Sequence, residues 1–302
     1  MRKEITPQSL AAVESVLSQV LADTNYQQIR RMGGLTNQTY HVTMSGGEEY
    51  VVRLPGEGTE AMINREHERV STQLAVDLGV DAPMLHFGKD GTKVTRYIPN
   101  AITMSAGTIG SEEHLRQVAE IFRTLHGCGR DTGVPFEVFD MAASYEKIIE
   151  DLHVDMFDDY ASIKLQVMQI KAWVDNRFDI PKVPCHNDPL CENWVEGDGR
   201  MYLIDWEYAG MNDGMWDIAD VSIEAGLDAA ADELLLKHYL GHTPDNDRML
   251  HFCASKIYVD YLWTLWAKTR VPFDGQPMED WAVERYSRMK ENIQKFTTLR
   301  GQ

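Results

Sequence analysis

The chain has 302 residues, of which 43% are hydrophobic and 25% charged, the composition of a folded protein rather than a disordered one. Its formal net charge is −18, which disfavours nucleic acid and anionic membrane surfaces as partners and favours cations. No apolar run reaches the roughly 18 residues needed to cross a bilayer, and the opening MRKEITPQ lacks the apolar stretch of a signal peptide, so a cytoplasmic protein is expected.

Thr6-Pro7 reads as a helix start, with Thr6 as cap and Pro7 in the first helical position. Leu10, Val13, Leu17, Val20 and Leu21 then recur at helical spacing. Residues 40–44 and 50–54, joined through Ser45-Gly46-Gly47, predict a β-hairpin. A helix is expected over about 60–78, ended by Gly79, and a strand over 92–98, closed by Pro99. Downstream the pattern turns helical, over 111–126, 143–175, 230–240, 249–268 and 279–297, with one β-rich island at 193–206. The expected fold class is α+β: a small β-sheet lobe over 1–97, then a larger helical lobe over 98–302, with a cleft between them. Cys128, Cys185, Cys191 and Cys253 form no CxxC pair or zinc-type spacing and read as free thiols, Cys185 and Cys191 as packing residues.

The island carries the chemistry. His186-Asn187-Asp188-Pro189-Leu190-Cys191-Glu192-Asn193 fits H-x-D-x-x-x-x-N, the form of a kinase catalytic loop. Asp198-Gly199 is a strong hairpin turn signal, and Asn193 and Asp205 lie equally far from Gly199, so folding the hairpin brings them close. A carboxylate beside a carboxamide oxygen suits Mg²⁺, a hard ion that prefers oxygen ligands. Asp188 can orient a substrate hydroxyl and accept its proton during attack on a γ-phosphate, whereas His186 reads as a structural hydrogen-bonder. Upstream, Gly33-Gly34-Leu35-Thr36-Asn37 offers backbone N–H groups to phosphates. Arg53 is the cation expected at the α- and β-phosphates, held by Glu66 or Glu68. There is no GxxxxGK[ST] element, which speaks against a P-loop fold.

Together these residues resemble the choline/ethanolamine kinase and aminoglycoside phosphotransferase superfamily, closest to its bacterial choline kinases. The likeness runs from about Gly33 to about Tyr286 and takes in Leu125-His126, Ile204-Asp205-Trp206-Glu207-Tyr208-Ala209, Trp216-Asp217-Ile218-Ala219 and Trp263-Thr264-Leu265-Trp266. It implies a protein-kinase-like bilobal fold and ATP and Mg²⁺ as cofactors. By that resemblance Gly34, Thr36, Asn37, Arg53, Glu68 and the main chain of Arg96, Tyr97 and Ile98 bind nucleotide, Glu68 rather than Glu66 pairing with Arg53. Asp188, Asn193 and Asp205 are catalytic, Asn193 and Asp205 holding the metal. Glu207, Tyr208, Glu224, Trp263, Trp266 and Trp281 bind the acceptor. A quaternary ammonium, which has no N–H to donate, is held by aromatic faces with a carboxylate for charge balance, so a cationic amino-alcohol is the expected partner. The expected reaction is ATP-dependent phosphorylation of choline. Ethanolamine, thiamine or an aminoglycoside are the alternative acceptors. A non-catalytic choline-binding module is a third reading, against which stands the joint presence of Asp188, Asn193 and Asp205. Nothing in the sequence bears on oligomeric state.

Overall fold

The computed structural model describes residues 5–32, 37–56 and 63–301; Gly33, Gly34, Leu35 and Thr36, expected at the phosphates, lie outside them. The chain forms two compact units, Met1–Met104 with Glu192–Ala209, and Ser105–Cys191 with Gly210–Gln302. Among the described residues no helix is long and apolar enough to cross a membrane.

The first unit opens with α1 (Pro7–Val20), where Thr6 Oγ1 accepts the Ser9 N–H and Pro7 fills the first turn. Strands β1 (Tyr26–Arg31), β2 (Gln38–Met44), β3 (Glu49–Leu54), β4 (Met84–Phe87) and β5 (Lys93–Arg96) make an antiparallel sheet in the order β1-β2-β3-β5-β4. Alternation on β2 and β3 turns Tyr40, Val42, Tyr50 and Val52 inward, and Val13 and Leu17 of α1 close the core over them. The edge strand β1 and the short β4 were not expected. Strand β1 is mostly polar and β4 is apolar but only four residues long, and both are half-buried at most, so neither shows the alternation of a core strand. Helix α2 (Arg65–Asp77) starts at Asn64, whose Oδ1 accepts the Glu66 and His67 N–H groups, some residues later than the spacing predicts.

The island returns to this unit as β8 (Trp194–Gly197) and β9 (Arg200–Leu203), joined to β6 (Ile102–Thr103) in the order β6-β8-β9. Asp198 and Gly199 both have positive φ, 52° and 77°, as a two-residue type I′ turn requires. Trp194 pairs with Leu203 and Gly197 with Arg200, so the turn is centred between Asp198 and Gly199. Asn193 therefore lies opposite Ile204, whose N–H donates to the Asn193 carbonyl at 2.9 Å, and Asp205 stands one residue further on.

The second unit is mainly helical: α3 (Ala106–Ile109), α4 (Glu112–His126), α5 (Val138–Asp151), α6 (Tyr160–Arg177), α7 (Gly214–Glu224), α8 (Ala229–Leu240), α9 (Asn246–Asp274) and α10 (Gln276–Arg300), with a two-stranded ribbon of β7 (Lys182–Cys185) and β10 (Gly210–Asp213). The single helix expected over 143–175 is instead α5 and α6. His153 takes a left-handed φ of 54°, and the His153 and Val154 N–H groups close back on Glu150 and Ile149; Phe157 then turns away to stack on Tyr286, 3.9 Å between ring centroids. Helix α7 was not expected as a helix. Residues 214–223 are all buried, with apolar side chains on the sides away from its acids, so no exposed polar face marks the period.

Candidate functional site

In the first unit, β3 delivers Arg53 to the inside of the sheet and α2 delivers Glu68, which is wholly buried; their charged atoms meet at 2.5 Å. Arg53 Nη2 also donates to the Gly91 carbonyl at 2.9 Å, and Nη1 lies 3.5 Å from Asp205 Oδ1 and 3.6 Å from Glu207 Oε1. A second guanidinium, missed from the sequence, completes the cluster: Arg65 Nη1 contacts Glu68 Oε2 at 2.7 Å and Glu207 Oε1 at 2.8 Å. Asn37 Nδ2 donates to the same Glu207 oxygen at 2.8 Å. Gly91 makes room for this. Its φ is +91°, and a Cβ there would sit 2.5 Å from Arg65 Nε. Glu66, the rival partner for Arg53, instead faces outward and pairs with Arg69 at 2.6 Å.

Oxygens of Glu68, Asp205 and Glu207 all lie within 4.8 Å of one another. Two guanidiniums against three carboxylates leave one negative charge. Glu68 and Glu207 are sequestered by the arginines, at 0% and 6% side-chain exposure, while Asp205 is 40% exposed. Asp205 is thus the carboxylate with capacity left for a cation, held at a left-handed φ of 71°, a conformation kept for non-glycine residues where surrounding structure enforces it. Asn193, whose carbonyl accepts the N–H of Ile204, the residue before Asp205, could add a carboxamide oxygen. Such a donor set of hard oxygens fits Mg²⁺. Among the nucleotide-binding candidates, Arg96 stacks its guanidinium 4.9 Å from the Tyr50 ring centroid. The Arg96 and Tyr97 N–H groups donate to the Pro83 and Glu49 carbonyls, at 2.8 and 3.0 Å, and Ile98 is half-buried. Tyr208, half-buried, also belongs to this unit.

In the second unit, Asp188 follows β7 in a loop fixed from below by α7. Asp217 accepts the His186 N–H at Oδ2, 2.8 Å, and the Asn187 N–H at Oδ1, 2.7 Å. His126 Nε2 lies 3.0 Å from Asp217 Oδ2. Trp216 Nε1 donates to the Asn187 carbonyl at 3.0 Å, and Asn212 Nδ2 to Asn187 Oδ1 at 2.9 Å. Asn187 is thereby locked at a left-handed φ of 67°, which sets the direction in which the chain presents Asp188. His186 is fully buried. The sequence singled out Leu125-His126 and Trp216-Asp217 as segments without showing this clamp, because it joins residues about 30 and 90 positions apart.

Three of the acceptor candidates come together on α9 and α10. Trp266 meets Trp263 edge-to-face at 6.1 Å between centroids and Trp281 edge-to-face at 5.8 Å. Glu224, at the end of α7, is ion-paired with Arg285, whose guanidinium lies 4.1 Å from the Trp281 centroid. The Arg285 side chain was not foreseen as Glu224's partner.

A family model described as choline/ethanolamine kinase matches residues 28–298. Among solved structures, a choline/ethanolamine kinase family protein from Mesorhizobium loti is 30% identical, with a TM-score of 0.83 over 95% of this chain and 97% of that one. Choline kinase LicA from Streptococcus pneumoniae is 29% identical, with a TM-score of 0.77 over 94% and 98%. A LicA structure in complex with AMP is 28% identical, with a TM-score of 0.76 over 95% and 98%.

Proposed function

The chain belongs to the choline/ethanolamine kinase family, kinases with an alcohol acceptor, and from that premise we propose that it moves the γ-phosphoryl group of ATP to the hydroxyl of choline in the presence of Mg²⁺. The observation that carries the choline reading is the cluster of Trp263, Trp266 and Trp281, with a guanidinium already resting on Trp281. Trp281 already holds a cation, Arg285, against its ring, so the cluster has the chemistry that binds a cation through electron-rich faces. A trimethylammonium group offers no N–H, so faces of this kind, rather than hydrogen bonds, suit it.

Each group has a distinct task. Asp188 accepts the hydroxyl proton as the acceptor oxygen forms its bond to the γ-phosphorus, and the bond from that phosphorus to the β,γ-bridging oxygen breaks, releasing ADP. Asp217, through the His186 and Asn187 N–H groups, keeps Asp188 in position. Arg53 faces the phosphates, and Glu68 and the Gly91 carbonyl fix its fork. Asn193 and Asp205 would hold Mg²⁺, which when bound offsets phosphate charge. The backbone around Arg96, Tyr97 and Ile98 takes the adenine ring, the AMP complex of LicA supporting a nucleotide in the related fold.

ADP release measured against choline, ethanolamine, thiamine and an aminoglycoside tests the reading. The highest kcat/KM is expected with choline and only with Mg²⁺ supplied. A higher value with ethanolamine would move the assignment to that acceptor, and no ADP release with any of the four would end it.

A further inference from the structure

One carboxylate in the second unit has no counterpart. Asp217, Asp220 and Glu224 follow one another along a single face of α7 at i, i+3 and i+7. Asp217 is consumed by the Asp188 loop and His126, and Glu224 by Arg285. Asp220 is 1% exposed, and neither of its oxygens has a hydrogen-bond partner among the described residues. From α9, the fully buried Asp260 binds Arg288 at 2.7 Å and Arg285 at 3.3 Å. Among the described residues the cations paired with Glu224 and Asp260 are Arg285 and Arg288, and Arg285 is the cation that acts on Asp220, so three carboxylates share two positive charges. The other charged groups within reach of Asp220 are Asp188 and Asp217, both acids.

We propose that Asp220 selects for a cationic acceptor: it is a positioning residue whose uncompensated charge is balanced by the acceptor's ammonium, held among the tryptophans beside the Glu224–Arg285 pair. This rests on the amino-alcohol kinase reading. Buried charges without partners are strongly disfavoured, so a buried site with an unmatched carboxylate is completed either by a proton or by a cation brought from outside. Burial first, then Glu224, pushes the Asp220 carboxyl well above the usual range; Arg285 opposes this, and Asp188 and Asp217 add to it. Without a cation beside it the Asp220 carboxyl is shifted toward its protonated form, and an arriving cation favours loss of that proton. Cation binding and proton release are then linked. Ionised Asp220 favours the cation, so the acceptor KM falls as pH rises through the Asp220 titration.

The test compares choline with 3,3-dimethylbutan-1-ol, its uncharged isostere, in the wild-type chain and in Asp220→Asn across pH 6 to 9. We expect Asp220→Asn to raise the choline KM about tenfold while kcat, the nucleotide KM and the KM for the isostere stay within about twofold, and to flatten the pH dependence of the choline KM. Tryptophan fluorescence on titration with tetramethylammonium reads the same step without turnover, and should weaken by the same factor. A wild-type chain that binds tetramethylammonium but releases no ADP would sink the kinase reading and leave the Asp220 assignment standing. Equal losses for choline and the isostere, no loss for either, or a variant that fails to fold would overturn it, each making Asp220 a structural group.

Discussion

Asp217 Oδ1 accepts the backbone N–H of Asn187 at 2.7 Å, so a helix formed by 214–224 directly fixes the residue preceding Asp188. With the His186 N–H and His126 on its other oxygen, this carboxylate organises the loop from a fully buried position. Asp217→Asn turns an N–H toward one of those donors. Hydrogen bonds to a charged acceptor are worth about 1.5–3 kcal/mol each. We expect a stability loss of about 2–4 kcal/mol and a kcat lowered about 10- to 100-fold, with nucleotide affinity retained. Urea denaturation and steady-state kinetics check it; a normal kcat in a destabilised variant would confine Asp217 to folding.

Arg53 spans Glu68, the Gly91 carbonyl and Asp205, a reach that needs a planar fork. Lysine keeps the charge but cannot make these contacts together. Arg53→Lys and Glu68→Gln should each raise the nucleotide KM about tenfold and leave the acceptor KM near its normal value. Nucleotide titration by calorimetry measures this directly, and unchanged affinity in both variants would remove the pair from nucleotide binding.

Trp263 stands edge-to-face to Trp266. Trp263→Ala should raise the choline KM about tenfold and that of ethanolamine far less, because a primary ammonium retains its N–H donors for carboxylates. Parallel losses for both acceptors would make the ring a packing group.

Asp81 gives a pH signature. It is 3% exposed, and burial pushes its carboxyl up to about 6 from an ordinary 3.8, against the Lys93 ammonium and the Ala82 N–H and with Asp205 adding to the rise. The folded chain thus holds a proton that the unfolded chain has already lost. This contribution to stability is full below the ordinary value, is lost as pH rises from about 4 to about 6, and stays lost above that. Asp81→Asn should remove the slope and stabilise the chain at pH 7 by up to about 3 kcal/mol, in chelator-containing buffer. Identical pH slopes in variant and parent would show that Asp81 titrates normally.

Where local chemistry decides structure, the sequence could be read. Thr6-Pro7 set the start of α1, and Asp198-Gly199 set the turn that carries Asn193 toward Asp205. H-x-D-x-x-x-x-N and the three tryptophans named candidates that the fold then placed on β7's loop and on α9 and α10. Long-range partners were not legible. Arg65 lies in the first turn of α2 and reads like any exposed helix charge until Glu207, 142 residues on, returns to it. Asp220 is one acid among 47 Asp and Glu, and only burial without a partner sets it apart. The break between α5 and α6 escaped notice because His153, rather than glycine, takes the left-handed turn.

The central claim is that Asp188 is the base for an acceptor hydroxyl, and Asp188→Asn tests it most directly when ADP release and nucleotide binding are measured on the same preparation. The account predicts a kcat lowered about a thousandfold with nucleotide affinity within about twofold of the parent. Near-normal ADP release from a folded, nucleotide-binding Asp188→Asn chain would contradict it.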